Sequence, residues 1–243
     1  MNRVKTIVLS VVASICVIAV LTGGVICSQQ VDSSLCSQVD VVVVDSLDRQ
    51  YVDADELVRY LKSKKCYGLG SVMADIDCHA METLLLEHPM VRTANCYKTP
   101  FGGLRIRVSQ RVPVLCVKTS DAMYLVDADR KIMPCRSGME QGLLVLSGAV
   151  SQRAALAEYY DFVLWLKQSD YWCSRIKRLN VHNTRHIVLT QNEYDANIVL
   201  GQLDGYEEKL ERLQKLYTKG FDVLGYPDCR ELDLRFTGQV VRR

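Results

Sequence analysis

Leu104-Arg105-Ile106-Arg107-Val108-Ser109-Gln110-Arg111-Val112-Pro113-Val114 carries the clearest period in the chain. Leu104, Ile106 and Val108 fall on one side and Arg105, Arg107 and Ser109 on the other, which is the spacing of a strand with one covered and one wet face. Upstream, Pro100-Phe101-Gly102-Gly103 is turn chemistry, so this strand is the second arm of a hairpin whose first arm spans 91–98. Asp53 and Asp77 fit helix N-caps. Glu56, three residues after Asp53, gives an acidic version of the capping box, and Leu57, Val58 and Leu61 follow at helical spacing to Lys64. The helix after Asp77 sets Met81, Leu84 and Leu85 on one face. It stops before Pro89, because the residue ahead of a proline is pushed out of the helical region. The β-branched run 39–44 opens the unit as a strand. Residues 39–109 therefore read strand, helix, helix, strand, strand, with the helices laid on the sheet.

Beyond Pro113 the pattern changes to short strands and tight turns. Strands are expected at 114–118 and 123–126, with Asp127-Ala128-Asp129-Arg130 as a hairpin turn leading to Ile132, and another near 143–146. Ser151 caps an amphipathic helix carrying Leu156, Tyr159, Val163 and Leu166, ending near Ser169. Strands follow at 176–181, 186–190 and 197–200. Asp204 with Glu207 repeats the cap signal and opens a helix with Tyr206, Leu210, Leu213 and Tyr217 on one stripe. On its wet side Glu208–Arg212 and Glu211–Lys215 are i,i+4 pairs, and Gly220 suits its end. Leu232, Leu234 and Phe236 then alternate with Asp233 and Arg235 as a final strand. At a sheet edge that strand would accept a partner's strand; inside the sheet, Leu232 and Leu234 would fill the core. The alternation alone does not decide between them.

At the other end, residues 6–27 (TIVLSVVASICVIAVLTGGVIC) hold no charge. A helix of this length covers roughly 33 Å, enough to cross a hydrocarbon core. Arg3 and Lys5 precede it and the next basic residue is Arg49, so the N-terminus is expected inside and the remainder outside. A cleaved signal fits less well. Its apolar core is usually about 7–15 residues and ends in a small-x-small site, which Val25-Ile26-Cys27 does not resemble. Residues 28–38 are a short polar connector.

The composition, 49% hydrophobic and 24% charged over 243 residues, is that of folded protein. A formal charge of +2 from 30 basic and 28 acidic residues offers no electrostatic case for nucleic acid. Of ten cysteines, Cys16 and Cys27 lie in the apolar stretch. The others are Cys36, Cys66, Cys78, Cys96, Cys116, Cys135, Cys173 and Cys229. None forms a C-x-x-C pair, and buried free cysteine is the better fit, although pairing outside the membrane stays open. His182 and His186 flank a turn and can approach across a hairpin, but a metal site needs three or four ligands. There is no G-x-S-x-G elbow, phosphate-cradling glycine loop or H-E-x-x-H. No catalytic residue, metal, cofactor or small-molecule substrate is expected, and the body is expected to work by binding.

The order of these motifs resembles the FtsQ/DivIB family of bacterial division proteins. The resemblance lies in one span, a strand–helix–helix–strand–strand unit, and Gln110-Arg111-Val112-Pro113 in place of the family's E-R-x-P. Pro89-Met90-Val91, Tyr124-Leu125-Val126-Asp127, Leu200-Gly201 with Lys209-Leu210, and Asp233-Leu234-Arg235-Phe236 extend it over nearly the whole chain. Two family glycines are missing: Asp45 follows the first strand, and Arg130 or Lys131 stands in the Asp-x-x-Gly turn.

The resemblance implies an α+β fold with a single N-terminal transmembrane helix. A POTRA domain (β-α-α-β-β) follows, then a mixed β domain with two amphipathic helices. The expected boundaries are 1–5 cytoplasmic, 6–27 transmembrane, 28–38 linker, 39–109 POTRA and 110–243 C-terminal domain. It also implies a non-enzymatic, single-pass scaffold of the inner membrane with its bulk in the periplasm, gathered at the division septum. FtsB/FtsL-like partners would bind at Arg235, Phe236, Thr237 and Gly238 by β-augmentation. The alternative is a POTRA-bearing, chaperone-like component of translocation or outer-membrane assembly. That class carries a downstream membrane barrel, for which no girdled lipid-facing strands are visible. Replacing Arg3 and Lys5 by Glu is expected to scramble orientation, read as a drop in the outside signal of a C-terminal reporter fusion. An unchanged signal would overturn the charge argument.

Overall fold

The computed structural model describes residues 14–18, 33–44, 49–192, 196–221 and 230–243. The chain divides into two units, Met1–Arg111 and Val112–Arg243. Of the apolar stretch 6–27 only 14–18 are described, and they are helical, so the expected membrane span and Asp45 lie outside the described residues. Among those described, no helix is long and apolar enough to cross a membrane.

In the first unit the order is β1 (Gln38–Val43), α1 (Ala54–Ser63), α2 (Cys78–Leu86), β2 (Val91–Thr99) and β3 (Gly103–Gln110). The strand order is β1-β3-β2, with β1 parallel and β2 antiparallel to β3. The two helices form the crossover that a parallel neighbour requires. Leu104, Ile106 and Val108 are buried, as are Leu57 and Leu61 of α1 and Met81 and Leu85 of α2. Each such side chain contributes about 1.5–3 kcal/mol by leaving water. Asp53 accepts the N–H of Glu56, and Asp77 that of Ala80 at 2.9 Å, so both expected caps are made. Gln110, buried at the end of β3, accepts from Tyr51 N–H at 2.7 Å and donates to the Arg49 carbonyl at 2.9 Å. Those two bonds fasten the segment ahead of α1 to the sheet.

The second unit is a mixed sheet of nine strands among the described residues, ordered β12-β11-β10-β9-β8-β7-β4-β5-β6. Its strands are β4 (Pro113–Lys118), β5 (Met123–Asp127), β6 (Ile132–Pro134), β7 (Leu144–Gly148), β8 (Ile176–Asn183), β9 (His186–Gln191), β10 (Asn197–Gly201), β11 (Glu231–Asp233) and β12 (Val241–Arg242). The parallel step β7 to β8 carries α3 (Gln152–Leu156) and α4 (Glu158–Gln168); the parallel step β10 to β11 carries α5 (Tyr206–Lys215). One core unites Leu146, Leu179, Leu189 and Ile198 of successive strands with Phe162 and Val163 of α4 and Leu210 and Leu213 of α5. At its margin Gln191 donates to the Ala196 carbonyl at 2.7 Å and accepts from Tyr217 Oη at 2.9 Å.

Three details differ from the pattern. Asp204 does not cap α5: Gly205 holds the N-cap in a left-handed conformation, and Asp204 pairs with Lys209 Nζ at 2.9 Å. A long cation within reach competes successfully for that carboxylate. Arg212, expected beside Glu208, donates instead to the Leu234 carbonyl at 3.3 Å, while Glu211–Lys215 forms at 2.7 Å. The helix expected from Ser151 to Ser169 is broken at Ala157 (φ −113°, ψ −104°). There Arg130 Nη1 donates to the Leu156 carbonyl at 2.9 Å, drawing that group out of the helical ladder.

Arg130, one of the two residues expected in place of a turn glycine, has φ +58°. A left-handed non-glycine residue costs about 1 kcal/mol. The side chain offsets this: its Nη2 meets Asp161 Oδ1 at 2.6 Å and its guanidinium lies 4.8 Å from the centre of the Tyr160 ring. Tyr160 Oη donates to the Asp127 carbonyl at 2.9 Å, and Asp127 Oδ1 accepts the N–H groups of Asp129 and Lys131, closing the turn. Arg130→Ala keeps the backbone strain and loses these contacts, so it should cost about 2 kcal/mol in urea unfolding; Arg130→Gly relieves the strain and should cost about 1 kcal/mol. An alanine variant more stable than the glycine one would disprove the strain argument.

Candidate partner-binding edge

The C-terminal strand ends sooner than its alternation implies. β11 covers only Glu231–Asp233. The Leu234 N–H still reaches the Val199 carbonyl at 2.9 Å, and Leu232 and Leu234 are buried. At Arg235 the chain leaves the sheet. Phe236 is 43% exposed rather than directed at a core, and Gln239 N–H bonds back to the Phe236 carbonyl at 3.3 Å. Gly238, at φ +71°, supplies the left-handed step of this reversal. The chain then returns as β12, antiparallel to β11 with Leu232 opposite Arg242 and Asp233 opposite Val241. β11 is thus internal, between β10 and β12, and among the described residues β12 ends the sheet.

The register sets what that edge presents. Glu231 and Arg243 exchange both backbone bonds, at 3.1 and 3.0 Å. In an antiparallel pair such residues alternate with ones whose N–H and C=O point the other way, so Arg242 turns its backbone groups outward. Arg235, Phe236, Thr237 and Gly238 are all exposed and sit together on the turn joining β11 to β12. The sequence pattern ran the strand on through Phe236 and so missed both the turn and β12, a two-residue strand being too short to show a period.

Beneath the turn lies a buried charge. The Asp233 side chain has no exposed surface. It accepts from Arg235 Nε at 2.9 Å and Nη2 at 2.7 Å, and Arg243 Nη2 stands 3.3 Å away. The hydrogen bonds from Arg235 hold its carboxyl below the ordinary value of 3.8, against an opposing push from burial. Gly201, at φ +82°, leaves room for Arg235: a Cβ there would fall 2.7 Å from Arg235 Cγ. Between this turn and the start of α5 is an open cavity of about 210 Å³ lined by Lys209, Arg212, Arg235 and Phe236 among others. The four expected binding residues therefore frame an apolar ring and cationic groups beside an open strand edge.

His182 and His186 do come together across the β8–β9 hairpin, with ring centres 5.0 Å apart. Among the described residues no group of three or more His, Cys, Asp or Glu is arranged to hold a metal ion.

The described residues form a small β-α-α-β-β unit followed by a larger mixed sheet that ends in an open strand. Residues 34–109 match the POTRA-like domain, and residues 112–242, more than half of the chain, match the model for FtsQ/DivIB, C-terminal related. The chain belongs to the FtsQ/DivIB family, a group of non-catalytic cell-division scaffolds. No curated protein matches it.

Asp233→Asn leaves two arginines facing a neutral amide and should cost about 2 kcal/mol at neutral pH. Because the folded carboxyl titrates below its unfolded value, its contribution is complete above pH of about 4 and is lost as pH falls further. The wild type should show this acid loss in urea midpoints and the Asn variant a flatter acid limb; parallel limbs would contradict it.

Proposed function

We propose that this chain is a single-pass scaffold of the bacterial inner membrane, anchored by residues 6–27 with 1–5 in the cytoplasm. In this reading residues 28–38 are a linker, and 39–109 and 110–243 form the two periplasmic domains. It links early and late division proteins at the septum by binding FtsB/FtsL-like partners. The observation that carries the reading is the open edge of β12, whose Arg242 backbone faces outward next to the exposed turn of Arg235, Phe236, Thr237 and Gly238. An incoming strand would hydrogen-bond to β12. Phe236 would supply the apolar anchor, and Gly238 would permit close backbone approach.

The register offers a selective test. Proline is tolerated on an edge strand where its missing N–H faced solvent, so Arg242→Pro removes a docking donor without cutting the β11 ladder. Binding of the extracytoplasmic segment of an FtsB-like partner, followed by calorimetry on the purified full chain, should weaken at least about tenfold with Arg242→Pro and with Phe236→Ala. The thermal midpoint should stay within about 2 °C, as expected for surface substitutions. Unchanged affinity in both variants would remove this edge from the function.

A further inference from the structure

Two pairs of cysteines, separated in sequence, meet in this structure, one pair in each unit. Cys78 opens α2 and Cys96 stands in β2, the strand packed along that helix. Cys96 N–H donates to Glu82 Oε1 at 2.7 Å, and its Sγ lies 3.9 Å from Met81 Sδ, so it sits against the first turn of α2. Cys78 stands three and four residues before Met81 and Glu82, on the same face of α2, and its thiol helps push up that of Cys96. In the second unit Cys116 of β4 lies opposite Leu125 of β5, which lies opposite Met133 of β6. Cys135 follows two residues after Met133, and its thiol helps push up that of Cys116. Cys116 stands outside the core under the helices, on the other face of the sheet. Cys135 begins the segment that leads from β6 to β7. All four are free thiols here.

Each pair joins a buried thiol, Cys96 or Cys116, to a half-buried one, Cys78 or Cys135. Cys36 shows no such neighbour among the described residues: it is buried and its thiol donates to the Gln38 carbonyl at 3.4 Å. Irregular spacing in sequence hid the pairing, since only the sheet register and the α2–β2 packing bring these residues together.

We propose that Cys78–Cys96 and Cys116–Cys135 are disulfides of the mature chain, formed by exchange with an external disulfide. The accessible thiol gives up its proton and attacks that disulfide, making a mixed disulfide and expelling one external thiolate, which takes up a proton. The buried partner then gives up its proton and attacks the protein-side sulfur, closing the internal bridge and releasing the second external thiol. Two protein thiols lose two electrons and two protons, and the external disulfide gains both. The oxidant belongs to the compartment beyond the membrane, so the inference rests on the topology proposed above.

Burial then works in favour of the bridge. It pushes the Cys116 thiol up to about 12 and the Cys96 thiol far above its ordinary value. Glu140, whose Oε2 is buried without a hydrogen-bond partner, adds to the effect on Cys116 and Cys135. A thiolate so disfavoured is a poor leaving group, so a closed bridge resists reduction by exchange. A neutral disulfide carries no such penalty. One bridge would tie the start of α2 to β2, and the other would tie the start of the β6–β7 segment to the sheet face opposite the helices.

The test uses the full chain in detergent micelles. The reduced protein is incubated with oxidised glutathione, its remaining thiols are alkylated in denaturant, and its peptides are mapped by mass spectrometry. A second sample is alkylated in intact cells before lysis. Alkylated sites should fall from the ten cysteines of the chain to about six, with linked peptides carrying 78–96 and 116–135. Bridges closing loops of about 20 residues should raise the thermal midpoint by about 5–10 °C, and Cys96→Ser or Cys135→Ser should each remove part of that rise. Ten alkylated sites after oxidation, or linkage of Cys66 or Cys173 instead, would overturn the pairing. Bridges that close in micelles while the cellular chain keeps ten free thiols would overturn their place in the mature protein. The reporter fusion tests topology separately and leaves the micelle result standing.

Discussion

The Asp233 carboxylate has no contact with water, and an ion in that position is tolerated only when opposite charge and hydrogen bonds surround it. Both arginines that supply them come from the same chain end: Arg235, where the chain leaves the sheet, and Arg243, after it has returned. Arg235 reaches both carboxylate oxygens from two residues away, while Arg243 can approach only because residues 234–240 reverse direction. The same reversal lays β12 against β11 and leaves the turn exposed.

A second constraint shapes the rest of the larger unit. β4, β7 and β8 run parallel, as do β10 and β11, and parallel neighbours need long crossovers. The helices in those crossovers collect the apolar rows of the strands into one core on one face. The opposite face is left to shorter connections. Arg130 joins the two systems: it holds a strained turn at the β5–β6 end and takes the Leu156 carbonyl between α3 and α4. A glycine would satisfy the turn with less strain, but it could not make these contacts.

Much of this was legible in advance. The alternation of 104–109, the caps at Asp53 and Asp77 and the apolar stripe of α5 depend on local spacing, and each element formed where that spacing put it. The turn at 235–238 was not legible: the alternation carried the final strand on through Phe236, whereas β11 stops at Asp233. The misreadings came where a side chain from elsewhere outcompeted a local partner. Lys209 claimed Asp204, the Leu234 carbonyl claimed Arg212, and Arg130 broke the helix at Ala157. The last two partners lie 22 and 26 residues apart, outside any local window, whereas Lys209 is only five residues beyond Asp204.

The sequence by itself determined the two-unit α+β plan, the positions of most strands and helices, and the family, because periodicity, caps and turns are short-range properties of the chain. Tertiary structure alone decided that β11 is internal and β12 is the edge, and that cysteines far apart in sequence stand in two pairs. Strand order, register and the neutralisation of a buried charge depend on which distant segments meet. That information resides in the folded contacts and not in the spacing of residues along the chain.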